Sequence, residues 1–176
     1  MMGRNHAATG VLTGSGAVWL AQLNPGQAAA FIAVTSACSL LPDFDHPNAI
    51  GPRAFGWPGR TLAWLIGSVF GHRGLTHSVL GLGVLSAGLA FVPHLPGFCY
   101  AAVILGCATH ILGDMCTVSG VPLFWPLDRC FRLFGRWTVM RTGHYFETQI
   151  LTPVLAVVSI AAGAGTLFLL TKGYTQ

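Results

Sequence analysis

Five stretches of this chain contain no Asp, Glu, Lys or Arg at all: Ala7–Leu23, Gly26–Leu41, Ser78–Val92, Gly97–Leu112 and Ile150–Leu170. Apolar runs of this length have few stable fates, because their surface must be covered by protein or by lipid. Composition decides between the two. Only 14 of the 176 residues are Asp, Glu, Lys or Arg, or 8%, where a soluble domain carries about 25%. A soluble monomer of this mass would expose on the order of 8,000 Å². That leaves about one charge per 600 Å² and wide adhesive patches between charges. An ordinary soluble globule is excluded. Disorder is excluded too, since it requires low hydrophobicity, and the mean hydropathy here is +0.64.

The last stretch has 21 residues, enough to cross a ~30 Å hydrocarbon core at 1.5 Å per residue. The other four have 15–17, and two uncharged turns, Asn24-Pro25-Gly26 and Pro93-His94-Leu95-Pro96-Gly97, join them in pairs. Pro and Gly stop one helix and let the chain reverse. The expected architecture is all-α: an integral membrane bundle of two helical hairpins plus a C-terminal transmembrane helix, one domain over residues 1–176. Arg4, the first apolar run and Ala28-Ala29-Ala30 also fit a cleavable signal peptide. Against that reading, the apolar run resumes through Leu41 and cleavage would discard His6.

The net charge of +4 and pI of about 9.0 do not point to nucleic acid, because eight of the nine basic residues are scattered arginines with no basic run. Placed on the hairpins, 13 of the 14 charges fall on one side of the membrane and Lys172 alone on the other. The positive-inside rule makes the arginine side cytoplasmic and puts the N-terminus there, which predicts a multi-pass membrane protein. The five cysteines form no CxxC pair, so neither a disulfide framework nor a structural zinc finger is expected.

The histidines and acids share that side. In Pro42-Asp43-Phe44-Asp45-His46-Pro47 the prolines disfavour helix and predict an extended or turned segment; an extended chain would aim Asp43 and Asp45 one way and His46 the other. Two such carboxylates repel unless a cation or protons lie between them. His72 and His77 would lie ~140° apart on a helix, but a turn through Gly74 can bring them together, with Thr76 or Ser78 as the next N-cap. His110 and Asp114, at i and i+4 on one helix face, suit two ligands of one metal or a histidine oriented by a carboxylate. His6 to Asp43 and His77 to Asp114 are both intervals of 37 residues, one hairpin each, so both hairpins return a His and an Asp to the same surface.

Imidazoles and carboxylates without thiolates suit Zn²⁺, with Mn²⁺ or Fe also possible. The number of candidates exceeds what one zinc needs, and a pair of metals serves phosphoester hydrolysis. Glu147 reads equally as a ligand or general base and as a partner of Arg141. Arg129, Arg132 and Arg136 oppose Leu127, Phe131 and Phe134 in the pattern of an interfacial amphipathic helix.

The blocks LLPDFDHPNAIGPR (Leu40–Arg53), FGHRGLTHSVL (Phe70–Leu80) and HILGDMCTVSGVPLFWP (His110–Pro126) resemble the YdjM-type inner-membrane, metal-dependent hydrolase family. A more distant similarity links that family to the all-helical zinc-dependent phospholipase C and P1-nuclease group. The resemblance implies His6, Asp43, Asp45, His77, His110 and Asp114 as metal ligands, and His46 and His72 as ligands or proton shuttles. The histidines that complete a third site in the phospholipase group are missing, which argues against three metals. The expectation is a dinuclear zinc hydrolase at the cytoplasmic face, with His72 and Glu147 as catalytic residues. Arg73 and Arg141 would hold a phosphoester, and a phospholipid or other amphiphile is the substrate that suits a membrane-embedded site. The competing expectations are a metal or proton transporter, which needs ionisable groups near the midplane, and a regulator with a purely structural metal. The sequence sets no oligomeric state.

Overall fold

A computed structural model describes residues 1–138 and 140–174. The chain is an all-α helical bundle, 72% helical, with no strand among the described residues and two isolated bridges, Thr117 to Met140 and Val121 to Phe131. Among the described residues, three segments are long and apolar enough to cross a membrane: Pro25–Asp45, Gly97–Met115 and Phe146–Gly173.

The first hairpin is α1 (Gly3–Ala21) and α2 (Pro25–Cys38). The reversal at Asn24 is a capping box. The Asn24 side chain accepts from the Gln27 amide at 2.9 Å, Gln27 reaches back to the Asn24 amide at 3.3 Å, and Pro25 opens the helix where no amide is needed. The second hairpin is α5 (Val79–Ala90) and α6 (Gly97–Met115), and α7 (Thr152–Tyr174) follows a π-helical turn at Phe146–Leu151. Helix α1 packs against α2, α6 and α7. That placement explains its composition: Asn5, His6, Ser15 and two glycines of α1 are buried, shielded by more apolar neighbours.

The helices meet through missing side chains, as association within lipid favours. A Cβ on Gly10 would come within 2.7 Å of Ser36 Cα, and one on Gly106 within 2.5 Å of the Thr35 carbonyl. Val18, Ala28, Phe31, Ile32 and Ala102 fill the core toward the opposite end.

Residues 50–70, between the two hairpins, form α3 (Ile50–Ala54) and α4 (Gly56–Phe70), helices outside the five uncharged runs. Helix α4 lays Gly59, Ala63 and Gly67 on the chain below it and leaves Trp57, Trp64 and Val69 exposed. The stretch Arg129–Trp137 is not the amphipathic helix that its spacing suggests. Its amides are committed elsewhere: Phe131 exchanges both backbone hydrogen bonds with Val121, and the Leu133 amide donates to the Met115 carbonyl, so only a 3-10 turn, Gly135–Trp137, remains.

Candidate metal centre

The start of α1, the ends of α2 and α6, and the turn before α5 meet at one end of the bundle. His6 lies in the first turns of α1, and His110 and Asp114 in the last turns of α6. After α2 the chain forms a 3-10 turn over Pro42–Asp45, the turned form of the two expected and not the extended one, with Pro42 at a first-turn position that tolerates it. At about three residues per turn, Asp43 and Asp45 then point in different directions and take different partners. The His72–His77 turn is closed by Gly74, where a Cβ would lie 1.9 Å from the Phe70 carbonyl. Ser78 caps α5 by accepting from the Gly81 amide, which releases the Thr76 hydroxyl for the site.

The core of the site is a pair of imidazoles and two carboxylates. His77 Nε2 and His110 Nε2 are 3.1 Å apart, Asp43 Oδ1 is 3.6 Å from each, and Asp114 Oδ2 is 3.8 Å from His77 Nε2. Neighbours fix the protons. His110 Nδ1 faces the Ser39 carbonyl at 2.6 Å, which can only accept, so the proton is on Nδ1 and Nε2 is bare. Thr76 donates its hydroxyl proton to Asp45 Oδ2 at 2.8 Å and therefore accepts from His77 Nδ1 at 2.9 Å, which in the neutral ring leaves His77 Nε2 bare as well. Two unprotonated nitrogens and a carboxylate oxygen thus converge inside the protein. Such an arrangement is repulsive until a shared proton or a cation joins them.

His6 completes the cluster. Its ring stacks on His110 with centroids 3.6 Å apart, its Nε2 lies 3.2 Å from Asp114 Oδ1, and its Nδ1 is buried without a hydrogen-bond partner. The pairing crosses the hairpins: His6 of the first meets Asp114 of the second, and His77 of the second meets Asp43 of the first. Positive charge also reaches Asp114 from the Met1 amine and from Arg73 Nη2, the latter 2.8 Å from Oδ2. Among the described residues, two overlapping groups have the spacing to hold a metal ion: His6, Asp43 and His110, and His77, His110 and Asp114. The donors are nitrogen and oxygen, and His77 and His110 are oriented through their far nitrogens, which fits a zinc-type ion. His110 Nε2 belongs to both groups and can serve one ion only. The five residues therefore suffice for one four-coordinate ion, and for two if a carboxylate is shared.

The other expected site residues lie around this cluster. Asp45, expected as a ligand, is outside both groups: its oxygens take the Thr76 hydroxyl, the Arg73 amide at 2.7 Å and His72 Nδ1 at 3.0 Å. His72 is half exposed, and its hydrogen bond to Asp45 raises its pKa above the ordinary histidine value, with burial opposing. His46 accepts from the Asn48 amide at 3.1 Å and meets the His72 ring edge-on. Both line a cavity of about 380 Å³ with Trp64 and Ser68. Arg73 takes a left-handed backbone (φ 61°), and its Nη1 donates to Ser119 Oγ at 2.6 Å. Arg141 is exposed.

Glu147 is fully buried but in neither group, and its partner is not Arg141. Its oxygens accept from the Met2 amide at 2.6 Å, Asn5 Nδ2 at 2.9 Å and the Gly143 amide at 2.7 Å, which ties α1 to the approach of α7. Sequence reasoning missed Ser39, Thr76 and Asn5. Ser39 acts through its carbonyl, which no side-chain pattern reveals. Asn5 adjoins His6, but its role depends on the burial of α1, which the moderate polarity of that segment does not reveal.

The sequence matches the family described as "YdjM inner membrane protein" over residues 1–173. It is 41% identical over 98 residues to "Inner membrane protein YdjM" of Escherichia coli (strain K12), covering 53% of this chain and 48% of that protein. The Shigella flexneri protein of the same name gives the same figures, so the match spans about half the length of these relatives. "Uncharacterized protein YvsG" of Bacillus subtilis (strain 168) is 30% identical over 152 residues, 86% of this chain and 88% of that protein. No solved structure matches.

Proposed function

The chain belongs to the YdjM inner membrane protein family, and from that premise we propose that it is a multi-pass, metal-dependent hydrolase of an amphiphilic phosphoester such as a phospholipid. Its active site sits at the cytoplasmic face, with the N-terminus on that side. The observation that carries the reading is the pair of bare imidazole nitrogens 3.1 Å apart beside two carboxylates, gathered where all but one of the chain's charges lie. His6, Asp43, His77, His110 and Asp114 would hold the metal, most simply two zinc ions sharing a carboxylate. The chemistry such a group supplies when bound is Lewis-acid activation of water and of a phosphoryl oxygen.

The chain's own residues supply the rest. Arg73, partly exposed and beside Asp114, presents a planar guanidinium that can grip a phosphate through two donors. Asp45 holds His72 by Nδ1, leaving Nε2 as the nitrogen able to exchange a proton with substrate, and the raised pKa keeps a proton available for a leaving oxygen. Asp45 also reaches the His77 tautomer through Thr76, so one carboxylate positions both imidazoles.

The test is metal analysis with a panel of lipid phosphoesters on the wild type, Asp114→Ala and His72→Gln. The expected result is stoichiometric transition metal in the wild type and in His72→Gln, turnover by the wild type alone, and loss of both in Asp114→Ala. Purified wild type without stoichiometric metal would end this reading.

A further inference from the structure

A second cavity, of about 240 Å³ and half enclosed, lies against the cluster from the membrane side. Its walls are Leu41, Phe44, Ile66, Leu82, Leu85 and Ile111, with Pro42, Gly81 and Cys107 between them. Thr76 supplies the lone hydroxyl, and that proton is committed to Asp45. Nothing in the walls would satisfy a polar occupant, whose buried groups would go unpaired at a cost of about 1–3 kcal/mol each.

We infer that this cavity holds the hydrocarbon chain of an amphiphile whose polar end lies at the His–Asp cluster. Three observations set the occupant and its direction. The cavity touches the site along three separate elements: Pro42 and Phe44 bracket Asp43, Thr76 precedes His77, and Ile111 follows His110. Asp43 is the one member of the two metal-holding groups with appreciable exposed surface, 19% against 0% for His6, His77, His110 and Asp114. A headgroup therefore arrives at Asp43, between two residues of the cavity wall. The outer wall is α5, which buries no residue and leaves Val79, Leu80 and Val84 about half exposed. In a protein of an inner-membrane family that face meets lipid, so a chain can slide in sideways without crossing water.

The inference rests on the hydrolase reading for the identity of the polar end, and on the cavity alone for the tail. Its test is photo-crosslinking of the full-length protein in nanodiscs with dodecyl phosphate carrying a diazirine near the chain end, mapped by peptide mass spectrometry. Labels are expected on Leu82, Leu85 and Ile111. Filling the cavity with Leu82→Trp, or from the opposite wall with Ile66→Phe, should cut that labelling about tenfold while metal content is unchanged. Labels spread over α7 with none in the cavity would overturn the inference, as would full labelling of both filled variants. Cavity labelling in a protein that carries no metal and turns over no phosphoester removes the hydrolase and leaves the tail site standing. Turnover without cavity labelling does the reverse.

Discussion

Gly106 is the tightest point between the helices that carry the cluster, and replacing it with alanine tests how the site is built. The new Cβ would lie 2.5 Å from the Thr35 carbonyl, 2.9 Å from the Ser39 amide and 3.0 Å from the Cys38 carbonyl carbon, all backbone of α2. No side chain can swing away, so α6 must retreat by about 0.9 Å to reach the 3.4 Å at which ordinary contact begins. The same movement stretches the 2.6 Å contact from His110 Nδ1 to the Ser39 carbonyl to roughly 3.5 Å, beyond a useful hydrogen bond. Overpacking costs about 1–3 kcal/mol and the lost buried hydrogen bond about 1–3 more, while alanine returns about 1 through helix propensity. The net expectation is a loss of about 3 kcal/mol, together with weaker metal retention because the His110 proton is no longer pinned to Nδ1. The assay is reversible unfolding in mixed micelles followed by far-UV circular dichroism, with metal content measured in parallel. Gly16→Ala is the control, since a Cβ there meets nothing within 4 Å, and it should be neutral or stabilising by up to about 1 kcal/mol. If the Gly106 and Gly16 variants unfold together, the close approach described here is not what holds α2 to α6.

Three further outcomes follow from the same geometry. Glu147→Gln replaces one of two accepting oxygens with a donor that faces an N–H, and should cost about 1–3 kcal/mol of stability with metal stoichiometry intact; loss of metal at unchanged stability would return Glu147 to the site. The raised His72 pKa contributes stability that is full below the ordinary value of about 6.5 and is lost as pH rises through the higher folded value. The effect is small because the imidazole is 48% exposed, so the measurement is an NMR titration of His72. Asp45→Asn should lower that pKa, and an unchanged titration would break the assignment. Zn²⁺ added to chelator-treated protein should raise the melting temperature, by the equivalent of about 2.7 kcal/mol at a hundredfold excess over Kd. His110→Ala should abolish the shift, and a wild type indifferent to Zn²⁺ contradicts the metal assignment.

The five uncharged runs became helices because nothing else covers such surface, and α2, α5, α6 and α7 lie close to where the runs lie. The gathering of His6, Asp43, His77, His110 and Asp114 was legible for a related reason: against so sparse a background of charge, each ionisable residue carries information. What pattern could not reveal was direction. A two-residue spacing puts Asp43 and Asp45 side by side in an extended chain and apart in a 3-10 turn, and only the closing of that turn divides them between the imidazole pair and His72. The internal position of α1 was also hidden, because its moderate polarity suits an exposed face as well as one enclosed by three apolar helices. Residues 129–137 carry helical spacing, but pairing with Val121 and Met115, distant in sequence, took their amides.

The crossed pairing of the hairpins puts a clock on the molecule. His6 and Asp114 are 108 positions apart, and at roughly 5–20 residues per second the second emerges about 5–20 s after the first. Until His77 and His110 follow, the leading hairpin has its own histidine and carboxylate but no imidazole from the later one. Any metal must be taken up once the later hairpin has arrived, so loading belongs to the last stage of biogenesis. A chain stalled before His110 would complete neither metal-holding group.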